Sequence, residues 1–342
     1  MSASSDRAAG AAQTPAGEHL GTSAPGVSPA QCSQTHVAQP GTDAAIASRH
    51  PGESLRDVIA RYYSLTKPGV LYANVLSAVA GFLFGSQNGV DLFSLVIVTI
   101  GTTLIVGSAT VLNNVLDRDI DQRMERTKKR ATVTGGVRAR RATIFSIVLG
   151  LLGAAVLGIW STPLVLGLGA FGFVCYVWLY GATSKRMSYH GTLVGSVSGA
   201  VPILAGYVGA TGRVDAGAVL VFLALFFWQM PEFYSIAIYR REEYAAAGVP
   251  VITVVKGVPT TIVHIFVYTV LYVASVVLLG VLGFASLTTT SVLGLLGVVW
   301  IVIGALGFTA ADRIAWSHRM FGFSLVSIMA LCIMLGLDPW LP

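Results

Sequence analysis

Nine apolar runs of roughly 16 to 21 residues follow one another along this chain, at 70–86, 92–112, 143–160, 164–180, 193–208, 218–234, 262–282, 292–309 and 321–337. Each is about long enough to cross a hydrocarbon core of ~30 Å as an α-helix. In lipid every backbone N–H and C=O must find its partner within the segment, and an isolated apolar run can do that only as a helix. The expected fold class is therefore all-α: a polytopic membrane protein of nine transmembrane helices. The charged fraction of 11% agrees, since soluble domains carry about 25%.

The net charge of +6 could suggest nucleic acid, but its placement argues otherwise. With the N-terminus on the cytoplasmic side, every one of the 22 Lys and Arg residues except Arg213 falls in the N-terminal segment or an inner connection. The positive-inside rule then predicts N-terminus in and C-terminus out. The basic excess is mostly an orientation signal.

Residues 1–55, rich in Ala, Ser, Gly, Thr, Gln and Pro without apolar periodicity, read as a disordered cytoplasmic tail ahead of a membrane domain at 56–342. They lack the charged and apolar regions of a signal peptide. As a transit peptide they are Arg-poor and carry Glu18 and Asp43, which favours a bacterial inner membrane over a mitochondrial one. Cys32, Cys175 and Cys332 are far apart and form no CxxC pattern, so neither a disulfide framework nor a zinc site is expected.

Residues 113–126, NNVLDRDIDQRMER, sit where the second run meets a basic loop. Carboxylates at the edge of a membrane segment are costly and seldom idle. At about 100° per residue, Asn113, Asn114, Asp117 and Asp121 share a sector of roughly 100°, with Asp119 on the far side near Arg123 and Arg126. Gathered acceptor oxygens suit Mg²⁺, which takes one or two carboxylates plus a substrate's phosphate oxygens. A second acidic face follows the sixth run, where Glu232, Tyr239 and Glu243 return to within about 20° of one direction, with Ser235 beside them. Two such faces could hold two Mg²⁺ ions around one diphosphate. Alternatively, the acids pair with Arg240, Arg241 and Arg118 at headgroup level. The two clusters stand four helices apart, which hints at an internal duplication.

These blocks resemble the UbiA superfamily of intramembrane prenyltransferases. Asn113-Asn114-x-x-Asp117-x-x-x-Asp121 is similar to its first aspartate-rich motif, and the likeness is strongest to the branch that farnesylates protoheme IX. It continues through Lys67-Pro68-Gly69, Lys185-Arg186-x-Ser188-x-x-Gly191-Thr192-Leu193, Gly199-Ala200-x-Pro202, Ala247-Gly248-x-Pro250 and Val254-Val255-Lys256-Gly257. Three places depart from the pattern: Glu232 stands where the branch usually has His, Glu243 where it usually has Asp before Tyr244, and Gly181-Ala182-Thr183-Ser184 precede Lys185 where an aromatic or Leu more often adjoins the Lys.

The resemblance implies farnesyl diphosphate and protoheme IX as substrates within the lipid bilayer, Mg²⁺ as cofactor, and a downstream heme-modifying enzyme or oxidase assembly factors as partners. It implies Asn113, Asp117, Asp121 and Glu243 as metal ligands. Lys67, Asn113, Asn114, Arg118, Arg126, Lys185, Arg186, Glu232 and Tyr244 would contact diphosphate, prenyl chain or heme. Of the basic-loop residues, Arg118 and Arg126 lie nearest the aspartates in sequence and are preferred to Lys128, Lys129 and Arg130. Asp117, Asp121, Tyr180 and Tyr234 are the expected catalytic residues, the tyrosines as aromatic faces for an allylic cation. Trp228, Phe233 and Tyr72 could line a prenyl tunnel with them, and His190 or His264 could ligate heme iron. The rivals are the same fold acting on a quinone precursor or chlorophyllide, and a cation-coupled transporter. Transporter carboxylates tend to lie near the bilayer midplane, whereas these lie at helix ends beside basic loops.

Overall fold

The computed structural model describes residues 54–342; the tail expected over 1–55 falls almost wholly outside the described residues. Among these, nine helices are long and apolar enough to cross a membrane: span 1, Pro68–Gly85; span 2, Leu92–Leu116; span 3, Ala139–Trp160; span 4, Pro163–Met187; span 5, Gly191–Thr211; span 6, Ala216–Tyr239; span 7, Gly257–Val281; span 8, Leu287–Leu306; and span 9, Arg313–Trp340. They coincide with the nine apolar runs, and the fold is an all-α, polytopic helical bundle.

Spans 2 and 6 extend past their apolar runs. The helical bond from Asp117 N–H to the Asn113 carbonyl (2.9 Å) keeps Asn113 and Asn114 inside the last turn of span 2, and span 6 continues through Pro231 to Tyr239. The polar residues near these ends are thus carried on helix rather than loop. Span 4 departs from α geometry over Cys175–Ser184, which is π-helical; such stretches are rare and frequent at functional sites. A further helix, Leu55–Leu65, precedes span 1, opened by a Ser54/Asp57 capping box.

Span 2 lies along span 3, span 1 along span 5 and span 6 along span 7, while span 9 returns to both span 6 and span 1. Lipid gives little hydrophobic push between helices, so small residues and polar contacts hold the seams. Between spans 2 and 3, Ser108 Oγ donates to the Ser146 carbonyl (2.7 Å) and Ser146 Oγ to the Ser108 carbonyl (2.8 Å). Between spans 1 and 5, backbones approach so closely that a Cβ on Gly206 would lie 1.9 Å from the Ala78 carbonyl oxygen, and one on Gly81 2.1 Å from that of Ile203. Large apolar side chains such as Leu151, Ile159 and Leu295 remain exposed, as outward faces of a bundle in lipid should.

Candidate active site

The end of span 2 buries four polar side chains together: Asn113 (1% exposed), Asn114 (2%), Asp117 (1%) and Asp121 (2%). Asp121 lies on a short helical turn, Arg118–Asp121, that prolongs the phase of span 2. Asp119 points the other way and is exposed. The helical sector read from the sequence is thus the buried face.

A buried carboxylate is tolerated only when paired, and each here meets a cation from a different part of the chain. Lys185, in the last turn of span 4, donates to Asp117 Oδ2 (2.5 Å). Arg130, from the loop after span 2, donates through Nη1 to Asp121 Oδ2 (2.6 Å). Lys67, just before span 1, donates to Asn113 Oδ1 (2.6 Å). Burial pushes the Lys67 ammonium down to about 7, with the Arg130 cation next in effect and the Asp117 carboxylate opposing it. Arg130 and Lys185 balance the two carboxylates, and Lys67, when protonated, adds the net positive charge that favours a further anion.

The π-helical part of span 4 brings Tyr180 to this cluster, with the Lys185 ammonium 5.9 Å from its ring centre. Two glycines leave the room. A Cβ on Gly195 would come within 3.0 Å of the Tyr180 ring, and one on Gly181 within 3.1 Å of Asn113 Nδ2. Tyr244, its phenol pushed up by burial, has Arg126, Tyr180, Lys185 and Glu243 as electrostatic neighbours. It also joins Ile120, Met124, Ala247 and Val249 in a small apolar cluster that ties together the loops after spans 2 and 6.

Other expected site residues are placed elsewhere. Glu243 accepts from Arg240 Nη1 (2.9 Å) and from the Arg126 backbone N–H (3.5 Å); of the two alternatives weighed for this acid, the structure displays the arginine pairing. Glu232 lies within span 6, half-buried, with no hydrogen bond or ion pair among the described residues. Tyr234 faces span 7, its ring centre 6.1 Å from that of His264 and 6.3 Å from that of Tyr268. The His190 ring lies tilted by 37° against that of its neighbour Tyr189, with the centres 4.0 Å apart. Arg118 and Arg126 have exposed side chains. Arg186 grips Asp119 with two 2.7 Å bonds and donates to the Leu116 carbonyl (2.6 Å), and that guanidinium holds the Asp119 carboxyl down to about 2. Asp119 therefore faces Arg186 rather than Arg123 or Arg126. Arg130 is the contributor that sequence reasoning passed over: turns after Asp121 fold the loop back, where helical periodicity gives no guide.

Among the described residues no three His, Cys, Asp or Glu side chains converge as a ready-made metal cage. Mg²⁺ does not require one, since it keeps waters and takes substrate phosphate oxygens beside one or two carboxylates. Asp117 Oδ1 and Asn113 Nδ2 are buried without a partner, an acceptor and a donor left over in a native-like core. The first suits a hard cation and the second an anion's oxygen. The donor set fits Mg²⁺ together with a diphosphate.

Comparison with known proteins places this geometry in context. The sequence pattern of the UbiA prenyltransferase family matches residues 74–328. Protoheme IX farnesyltransferase 2 of Chromobacterium violaceum is 41% identical over 283 residues, covering 82% of this chain and 94% of that protein. A protoheme IX farnesyltransferase of Escherichia coli O1:K1 is 37% identical over 285 residues, covering 83% and 96%. Among solved structures, that of digeranylgeranylglyceryl phosphate synthase superposes with a TM-score of 0.69 at 16% identity, covering 81% of this chain and 98% of that one. A UbiA homologue from Archaeoglobus fulgidus bound to DMAPP and Mg²⁺ superposes with a TM-score of 0.62 at 15% identity, covering 80% and 99%.

Proposed function

Because this chain belongs to the UbiA prenyltransferase family, we propose that it transfers a farnesyl group from farnesyl diphosphate to a vinyl group of protoheme IX, as the first step of heme modification for heme-copper oxidase assembly. The observation that carries the reading is the buried Asp117–Asp121 face, held by Lys67, Arg130 and Lys185 and retaining an unpartnered acceptor at Asp117 Oδ1. The acceptor is assigned on the two relatives' names, which belong to protoheme farnesyltransferases along nearly their whole length.

In this reading the bond between farnesyl C1 and the diphosphate oxygen breaks, and diphosphate departs as an anion. The terminal vinyl carbon bonds to C1, and water adds at the inner vinyl carbon and loses a proton, leaving a hydroxyethylfarnesyl side chain. Mg²⁺, when bound, supplies neutralisation of the leaving group's charge. Asp117 and Asp121 would hold that ion, Asn113 would offer its free Nδ2–H to a diphosphate oxygen while Lys67 occupies its Oδ1, and Lys67, Arg130 and Lys185 would receive the diphosphate oxygens through charge-assisted bonds. Tyr180 presents its ring to the allylic cation, and the apolar walls keep water from capturing it early. Glu243 and Tyr244 brace the two loops over the diphosphate, a different task from holding a second ion. Glu232 lies on the acceptor side.

The pigments of membranes with and without this protein test the reaction. A farnesylated heme, more hydrophobic than protoheme, should accumulate only with the protein and only when farnesyl diphosphate and Mg²⁺ are supplied. Prenylation of an aromatic acid or a chlorophyllide without any modified heme would move the chain to another acceptor class.

The protein is multi-pass, and we place it in a bacterial inner membrane with the site at the cytoplasmic face, on the strength of the Lys and Arg distribution. Cysteine labelling should find positions 130 and 241 accessible only from the cytoplasm and 213 only from outside. Labelling of position 130 from outside would reverse the orientation and the site with it.

A further inference from the structure

The backbone that delivers Lys67 is held in a conformation its sequence disfavours. Among the described residues Lys67 is the only non-glycine residue with positive φ (φ 51°, ψ 71°). A side chain with a Cβ resists that left-handed region, and the ring of the following Pro68 pushes the preceding residue toward extended backbone. Such a conformation persists only where the surroundings over-determine it.

Two side chains of span 2 over-determine it. Thr110 Oγ1 shares its single hydrogen between the Thr66 carbonyl (3.0 Å) and the Gly107 carbonyl one turn back on its own helix (2.9 Å), and Asn114 Nδ2 donates to the Leu65 carbonyl (2.7 Å). Both side chains are 2% exposed. They stand four residues apart, one above the other on the same helical face. The carbonyls they hold belong to the end of helix Leu55–Leu65, where the last turn has no intrahelical donors of its own. One residue past this clamp, the chain turns left-handed and Lys67 reaches Asn113 Oδ1 (2.6 Å). Asn113 lies between the two clamp residues in sequence, so one stretch of span 2 fixes the base of Lys67 and meets its tip.

We propose that Thr110 and Asn114 are positioning residues that lock Lys67 in its left-handed conformation so that its ammonium is presented to the diphosphate. Asn114 thus acts on Lys67 through the backbone by its Nδ2–H, while its buried Oδ1 is left without a partner beside Asn113. The inference rests on the diphosphate reading of the site. Relaxation of Lys67 toward extended backbone would swing its side chain off Asn113, and the pocket would lose one of its three cations.

The test uses the full-length protein in detergent with magnesium pyrophosphate as the probe, its affinity measured by calorimetry, alongside steady-state transfer. Thr110→Val and Asn114→Leu delete the donors at nearly constant shape. Each should weaken pyrophosphate binding about tenfold, the scale of one charge-assisted hydrogen bond. KM for farnesyl diphosphate should rise in step, and KM for the acceptor should not. Thr110→Ser should restore binding. Because the clamp acts through Lys67, adding Thr110→Val to Lys67→Met should weaken binding no further than Lys67→Met alone. Should Asn114→Leu fail to fold, the Thr110 series carries the test. Unchanged pyrophosphate affinity in Thr110→Val, or a full additional loss in the Lys67→Met background, would overturn the positioning role. A wild-type protein that binds no pyrophosphate would instead remove the diphosphate reading, and this inference with it.

Discussion

Asp117→Asn should cost on the order of 100- to 1,000-fold in transfer rate, the scale expected when an anchor for metal-assisted departure of diphosphate is lost, while the protein still inserts and accumulates in the membrane. The substitution keeps the side chain's shape and still offers Lys185 an oxygen, so the local fold loses little besides one charge. Asp121→Asn, opposite Arg130, should behave alike. Asp119→Asn is the internal control: its carboxylate is exposed and paired with Arg186 at the surface, where an ion pair contributes about 1 kcal/mol or less, and its activity should stay within about threefold of wild type. Rates normalised to the amount of membrane-inserted protein decide the matter. Equal losses at all three positions would show that the buried face of span 2 is not what selects the functional aspartates.

The largest effect on folding should come from Gly206→Leu. The obstacle there is main chain: the new Cβ would meet the Ala78 carbonyl oxygen at 1.9 Å and the Phe82 amide nitrogen at 2.8 Å, and neither can rotate away as a flexible side chain could. Spans 1 and 5 would have to part along their shared seam, a strain above the usual 1–3 kcal/mol of core overpacking. We expect little folded protein, or a melting temperature lowered by more than about 10 °C, in size-exclusion and thermal assays. Gly322→Leu gives the contrast, because a Cβ there meets nothing within 4 Å, and it should melt like wild type. A Gly206→Leu protein as stable as wild type would mean that the two backbones are not in contact.

How far the sequence reveals this molecule depends on which physical signal each part carries. Length and apolarity fix the spans, because lipid leaves the backbone a single solution. The period of 3.6 then separates the buried Asp117 and Asp121 from the exposed Asp119. Periodicity fails where the chain stops being a regular helix. Arg130 reaches Asp121 by a turn-rich loop, Lys67 reaches Asn113 through a left-handed residue, and Tyr180 sits on a π-helical stretch where the angle per residue differs. Side-chain neighbours are likewise invisible to periodicity within a true helix: Tyr234 is on span 6 as expected, and its ring lies against His264 and Tyr268 of span 7. For Glu243 the sequence offers both a metal reading and an arginine pairing, and the structure shows the pairing with Arg240.

All the groups that close on Asn113, Asp117 and Asp121 arise before the end of span 4: Lys67, Arg130 and Lys185. The second half of the chain touches this cluster chiefly through the Glu243 and Tyr244 loop. On the proposed mechanism the residues that assist departure of diphosphate therefore all come from the first half of the chain. Provided the span 5 glycines that seat span 1 and Tyr180 are kept, spans 5 to 9 can exchange an imidazole for a carboxylate at position 232, or adapt to a differently shaped acceptor, without altering the residues proposed to assist cleavage of the C1–oxygen bond. A chimaera joined between spans 4 and 5 should inherit its prenyl donor from one parent and its acceptor from the other.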